Sequence, residues 1–226
     1  RKALPLARPT DTTIRDEAPI FDDIKIGLVL GSGWGDALKV DDAYRNSFQQ
    51  IPGFESLGKL AGHERELVIG RVAGKRVAIL RGRVHMNEDP CNPNIPKMVR
   101  LQTDMLMHLG VRKLVDTSAV GSLGGRLNVR DVGVADGFCT LFAGTMPLWV
   151  GEFNGPEDTL DPELRDIALA VGAEVSLPVD DALDPVLREM ARAAGRQTVT
   201  LAVKPVGHVM VPGPHFESRK YDKGIL

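Results

Sequence analysis

Two arginines, a histidine and a glutamate fall within one short stretch, Arg81-Gly82-Arg83-Val84-His85-Met86-Asn87-Glu88, directly after the apolar run Val77-Ala78-Ile79-Leu80. Arginine presents a planar fork of donors that matches phosphate or carboxylate oxygens two at a time. Histidine titrates near neutrality, so it can donate, accept or carry a proton in a reaction. Such a set at the end of a buried strand suits an anion site at the carboxyl edge of a sheet. Taken alone, the octet is equally compatible with a solvated, charged surface turn.

Two further segments bear on that choice. In Gly27-Leu28-Val29-Leu30-Gly31-Ser32-Gly33-Trp34-Gly35 an apolar strand runs straight into a glycine-rich turn with one serine. Glycine lets a ligand approach the backbone closely, and the N–H groups of a strand–helix turn attract anions. The alternating glycines match neither a G-x-G-x-x-G fingerprint nor a Walker loop, and an ordinary tight turn is the alternative. Far downstream, Gly207-His208-Val209-Met210-Val211-Pro212-Gly213-Pro214-His215-Phe216-Glu217-Ser218 ends a short strand in a rigid Pro-Gly-Pro loop. Proline reduces the entropy lost when such a loop is ordered. Phe216 can then stack on a planar ligand while Glu217 accepts hydrogen bonds from its N–H edge; a buried Phe beside a solvent-facing Glu is the plainer reading.

Taken in order, Gly31-Ser32-Gly33, Arg83-Val84-His85-Met86-Asn87-Glu88, Thr117-Ser118-Ala119-Val120-Gly121-Ser122-Leu123 and Gly213-Pro214-His215-Phe216-Glu217 resemble the motifs of the purine nucleoside phosphorylase family, in its trimeric branch. The likeness covers most of the chain from Gly27 onward. It implies an enzyme in which phosphate displaces a purine from the anomeric carbon of a nucleoside through an oxocarbenium-like transition state, leaving free base and pentose 1-phosphate. The resemblance implies that Ser32, Arg83, His85 and the backbone N–H of Ala119 hold the phosphate. Glu88 would orient His85, and His63 would stand near the phosphate. Glu217 would bind the N1 and N2 edge of a 6-oxopurine, with Phe216 on the ring and His208 and Asn87 near the sugar. His85 and Glu217 are then the catalytic pair. The implied ligands are purine nucleoside and inorganic phosphate, with no metal and no cofactor.

Several positions depart from the family pattern. Asn87 stands where the family has an aromatic residue, Ser118 where it has asparagine, and His208 where it has tyrosine. Family members also continue past the position of Leu226, so we read the C-terminus as truncated, with residues 221–226 the first turns of a helix cut off midway. Gly121-Ser122-Leu123 leans toward the methylthioadenosine phosphorylase branch, whereas Glu217 leans toward 6-oxopurines. The short C-terminus also leaves open an inactive nucleoside- or anion-binding module. The family's trimer sets a neighbour's aromatic over the sugar in the region of residues 138–153. The apolar stretch 141–149 suits such an interface or a core equally; a homotrimer, or a dimer of trimers, is expected.

These residues need a scaffold, and the chain is long enough for one. Its 226 residues carry 28 basic and 30 acidic side chains, a formal charge of −2, with no basic patch to attract nucleic acid. There is no apolar run of about 18 residues for a membrane span and no signal-peptide pattern. Cys91 and Cys139 lack disulfide or metal spacing, so a cytoplasmic protein with reduced thiols is expected. Residues 1–22 are polar and predict a loose N-terminal arm; residues 23–226 predict a single α/β domain. Apolar runs predict strands at 26–30, 66–72, 75–80, 113–117, 132–139, 198–203 and 207–211, with Val72-Ala73-Gly74-Lys75 as a hairpin signal. Met98, Leu101, Met105 and Leu109 at helical spacing predict a helix over 96–109, opened by Pro96 and ended by Gly110. Asp161-Pro162 and Asp184-Pro185 predict helices at 161–171 and 184–195, each with an Asp cap and proline in the first turn. The alternation of strands and helices predicts a mixed, mostly parallel twisted sheet flanked by helices.

Overall fold

The computed structural model describes residues 21–32, 34–58, 64–86, 88–89, 91–123, 127, 131–139, 160–174, 176–178, 198–200 and 203–209. The chain divides into two compact units, Arg1–Val120 and Gly121–Leu226.

In the first unit β1 (Ile26–Leu30), β2 (Asp41–Ser47), β3 (Glu66–Val72), β4 (Lys75–Arg81) and β5 (Lys113–Asp116) form one sheet in the order β2-β3-β4-β1-β5. β1 runs parallel to both its neighbours, with Ile26 opposite Val77 on one side and Lys113 on the other. The β2–β3 and β3–β4 pairs are antiparallel. The sheet is therefore mixed rather than strictly parallel. Ala73 and Gly74, at φ 48° and 76°, close the hairpin between Val72 and Lys75. Two left-handed residues are what a two-residue turn needs to match the twist of its strands.

The sequence pattern does not signal β2. Its residues, Asp-Asp-Ala-Tyr-Arg-Asn-Ser, are polar and largely exposed, so no apolar alternation marks them. The strand exists because its main chain pairs with β3, across an irregularity between Asp41 and Tyr44. Tyr44 also meets Phe21 edge-on, ring centroids 5.4 Å apart. Phe21 falls in the stretch predicted to be a loose arm, yet it packs against the core.

β3 and β4 are buried on both faces and separate two apolar clusters. One gathers Phe48, Phe54, Ile69, Leu80, Met98 and Leu106; the other holds Leu30, Val68, Val77 and Ile79. Burying one such side chain contributes roughly 1.5–3 kcal/mol, so each cluster matters to the stability of the sheet. Helix α1 (Ile95–His108) supplies Ile95, Met98 and Leu106 to the first cluster and buries Gln102 on the same side. The predicted stripe is thus rotated: Leu101, Met105 and Leu109 flank the contact and are only partly buried. The helix ends as predicted. Gly110 takes φ 98°, its N–H reaches Met107 O at 3.1 Å, and Val111 N–H reaches Leu106 O at 3.1 Å. That pair of bonds satisfies carbonyls that the last turn would otherwise leave unpaired.

In the second unit β6 (Val132–Cys139) pairs in parallel with β9 (Val203–Val209), and β7 (Ser176–Pro178) pairs antiparallel with β8 (Thr198–Thr200). Helix α2 (Pro162–Glu174) begins as its Asp-Pro lead predicts. Asp161 Oδ1 accepts from the N–H of Glu163 at 2.9 Å and of Leu164 at 3.1 Å. α2 lies close on β9, since a Cβ at Gly172 would stand 2.5 Å from the Val203 side chain. Residues 203–209 form one strand, longer and earlier than the 207–211 predicted. The predicted helix at 184–195 and the apolar stretch 141–149 lie outside the described residues. Among the described residues no helix is long and apolar enough to cross a membrane.

Candidate active site

Because β1 is parallel to both β4 and β5, the three strands deliver their following segments to one edge of the sheet. β1 leads into Gly31-Ser32, β4 into Gly82-Arg83-Val84-His85, and β5 into Thr117-Ser118-Ala119. Thr117 ties the first to the third. Its N–H donates to Val29 O at 2.9 Å, and its hydroxyl donates to Val29 O at 3.2 Å while accepting from Gly31 N–H at 3.1 Å. Arg83 ties in the second, with Nη2 on Thr117 O at 2.9 Å and Nη1 on Asp116 Oδ1 at 2.6 Å. Gly31 is required by this packing: a Cβ there would stand 2.4 Å from Thr117 O and 2.7 Å from Arg83 Nη2. Ser32 and Ala119, beside these contacts, are exposed.

Glu88 is hydrogen-bonded to His85. One carboxylate oxygen, Oε1, lies 2.9 Å from His85 Nδ1 and accepts the backbone N–H of His85 at 2.7 Å. A carboxylate only accepts, so in this pair Nδ1 is the donor. The other oxygen, Oε2, accepts from Nη2 of Arg65 at 2.5 Å. Between Arg83 and His85, the backbone of Val84 is clamped by the Gln102 side chain of α1, which accepts from Val84 N–H at 2.8 Å and donates to Val84 O at 3.3 Å.

The two arginines of the octet part company. Arg81 Nε donates to Gly35 O at 3.0 Å, and its Nη atoms pair with Asp36 at 2.5 Å, Glu64 at 2.6 Å and Glu66 at 3.2 Å. It lines a hollow of about 60 Å³ with Leu38, Val40 and Arg45. In a continuous strand, residues 81 and 83 would share a face; Gly82, at φ 92°, breaks that alternation. Arg81 therefore anchors the far end of the glycine turn, while Arg83 stays with Gly31 and Thr117.

His63, Asn87, Phe216 and Glu217 lie outside the described residues. His208 falls in β9, opposite Phe138 of β6. Among the described residues no group of three or more His, Cys, Asp or Glu could hold a metal ion. Cys91 and Cys139 are free thiols. Arg65, Gln102, Asp116 and the Thr117 hydroxyl escape a reading of the sequence as site residues. Only Gln102 leaves a trace there, as a polar residue on an otherwise apolar helical stripe.

A mixed sheet whose parallel strands bring a glycine turn, an Arg-x-His and a Thr-x-Ala to one edge defines the class of the fold. The chain belongs to the phosphorylase superfamily, whose family model matches residues 25–226. It is similar to purine nucleoside phosphorylase 1 of Bacillus subtilis (strain 168), at 27% identity over 163 residues, 69% of this chain and 58% of that protein. It is similar also to the purine nucleoside phosphorylase of Anopheles gambiae, at 30% identity over 164 residues, 68% of this chain and 45% of that one. The fold is similar to that of a Schistosoma purine nucleoside phosphorylase solved in complex with guanosine: TM-score 0.61 at 24% identity, covering 91% of this chain and 65% of the other. The chain spans about half the length of the curated relatives it matches.

Proposed function

We propose that this chain serves phosphorolysis of the N-glycosidic bond of purine nucleosides, with 6-oxopurines preferred. The observation that carries the reading is the meeting of Gly31-Ser32, Arg83–His85 and Thr117–Ala119 at one edge of the sheet. Phosphate would be held by the Ser32 hydroxyl, the Arg83 fork, the Ala119 N–H and His85. A phosphate oxygen then forms a bond to C1′ as the C1′–N9 bond breaks. That bond's electron pair leaves with the purine, which takes up a proton. Holding the anion against a developing oxocarbenium centre lowers the barrier because the attraction is strongest in the transition state. Glu217 and Phe216 would hold the base, and His208 and Asn87 would flank the sugar. A homotrimer, or a dimer of trimers, accompanies this reading.

The test is release of hypoxanthine from inosine in the presence and absence of phosphate. Phosphate-dependent turnover, faster with inosine or guanosine than with methylthioadenosine, is expected. Gly121-Ser122-Leu123 favours the second reading, and a clear preference for methylthioadenosine would transfer the assignment to that branch. Calorimetric binding of phosphate and hypoxanthine without any phosphorolysis would instead identify an inactive binding module.

A further inference from the structure

We propose that Arg65 is a positioning residue of this site, fixing the imidazole of His85 through Glu88; the inference rests on the phosphorolytic reading above. Arg65 stands at the entrance to β3, outside every motif that the sequence suggests. Its N–H donates to Arg81 O at 2.7 Å and its carbonyl accepts from Phe48 N–H at 2.8 Å. Those two bonds hold it at φ 55°, a left-handed conformation that L side chains rarely adopt. Its side chain is only 6% exposed. Nη1 donates to Gly58 O and Nη2 to Glu88 Oε2, while the buried Nε has no hydrogen-bond partner among the described residues.

Each of these features works against stability. Left-handed backbone is strained for a residue with a Cβ, a buried N–H without a partner keeps its desolvation cost, and a buried ion pair holds a fold no better than apolar side chains of equal volume. Strain of this kind points to a task at the site. What Arg65 supplies is direction. Its planar guanidinium, tethered at Gly58 O, aims one N–H at Oε2. Oε1 is thereby left to take both the backbone N–H and the Nδ1–H of His85. The carboxylate cannot turn without breaking its bond to Arg65, so the ring is held at Nδ1. Without Arg65, only His85 would hold the carboxylate among the described contacts.

The experiment compares Arg65→Met and Arg65→Lys with the unaltered chain. The readouts are melting temperature, the ring ¹⁵N shifts of His85, and KM for phosphate and for nucleoside. In Arg65→Met we expect a lower melting temperature, because the buried Glu88 carboxylate loses its charged partner, and His85 shifts that move toward tautomer averaging. Phosphate KM should rise about tenfold, the usual scale for losing a group that orients a site histidine, with nucleoside KM nearly unchanged. Arg65→Lys should recover part of this, since lysine keeps the charge but not the fork. Unchanged His85 shifts and phosphate KM in Arg65→Met would overturn the proposal. If Arg65→Met does not fold, wild-type shifts and phosphate KM in Arg65→Lys would overturn it, because Arg65 would then be structural. If the unaltered chain neither binds phosphate nor cleaves nucleosides, the phosphorolytic reading fails. The ring spectrum of the variants still decides, in that case, whether Arg65 positions His85.

Discussion

Replacing Gln102 by methionine would separate hydrogen bonding from packing at the clamp that holds the Arg83–His85 segment. Gln102 is 7% exposed and Val84 is 3% exposed. The amide accepts from Val84 N–H at 2.8 Å and donates to Val84 O at 3.3 Å and Val99 O at 3.2 Å. Methionine is close in volume and flexible, so it should leave little cavity; the loss is of the bonds themselves. A buried N–H left without a partner costs about 1–3 kcal/mol, and losing the longer bond to the carbonyl adds about 1 kcal/mol. The sum centres near 3 kcal/mol, a fall in melting temperature of roughly 6–12 °C for a chain of this size. Val84 lies between Arg83 and His85, two residues of the proposed phosphate site, so phosphate affinity should fall as well. Urea denaturation followed by circular dichroism gives the stability, and calorimetric titration with phosphate gives the affinity. A loss under about 0.5 kcal/mol, which is what a surface change produces, together with unchanged phosphate binding would refute the clamp.

Other perturbations follow the same logic. Arg83→Ala removes the fork that meets Thr117 O and Asp116 and should weaken phosphate binding by about 2 kcal/mol, the scale of a charged hydrogen bond; unchanged affinity would place the phosphate elsewhere. Gly31→Ala drives a Cβ to 2.4 Å from Thr117 O, and since backbone cannot yield as a side chain does, it should cost about 1–3 kcal/mol and phosphate affinity with it. A variant as stable as the parent would show that the turn can shift. The Gly53 N–H and the residue's own N–H hold the exposed Glu55 carboxyl below its ordinary value of 4.5. Its folded form is then favoured above pH 4.5, and that contribution disappears as pH falls through the lowered value. An NMR titration of Glu55 should give a midpoint below 4.5, and Glu55→Gln should remove that part of the acid dependence; a midpoint at or above 4.5 would remove the cause.

What the chain determined by itself is local. The apolar runs of β1, β3 and β4, the Ala73-Gly74 turn, the end of α1 at Gly110 and the Asp161 cap all depend on sterics and hydrogen bonds between near neighbours, which residue types declare directly. The His85–Glu88 pair was legible for the same reason, since it spans a single turn. β2 was not, because it carries no apolar pattern and stands on its ladder with β3. Nor was the buried stripe of α1, which turned toward Gln102 because Val84 offered that amide its partners. The partners that give the site its form lie far off in sequence. Arg65 meets Glu88 23 positions away, Arg83 meets Asp116 33 positions away, and Gly31 meets Thr117 86 positions away. Strand order alone makes those residues neighbours, and strand order follows from burying both faces of β3 and β4. Only the tertiary structure, therefore, decided that Arg83 would stay with the glycine turn, that Arg81 would leave it, and that an arginine at position 65 would reach the histidine's carboxylate.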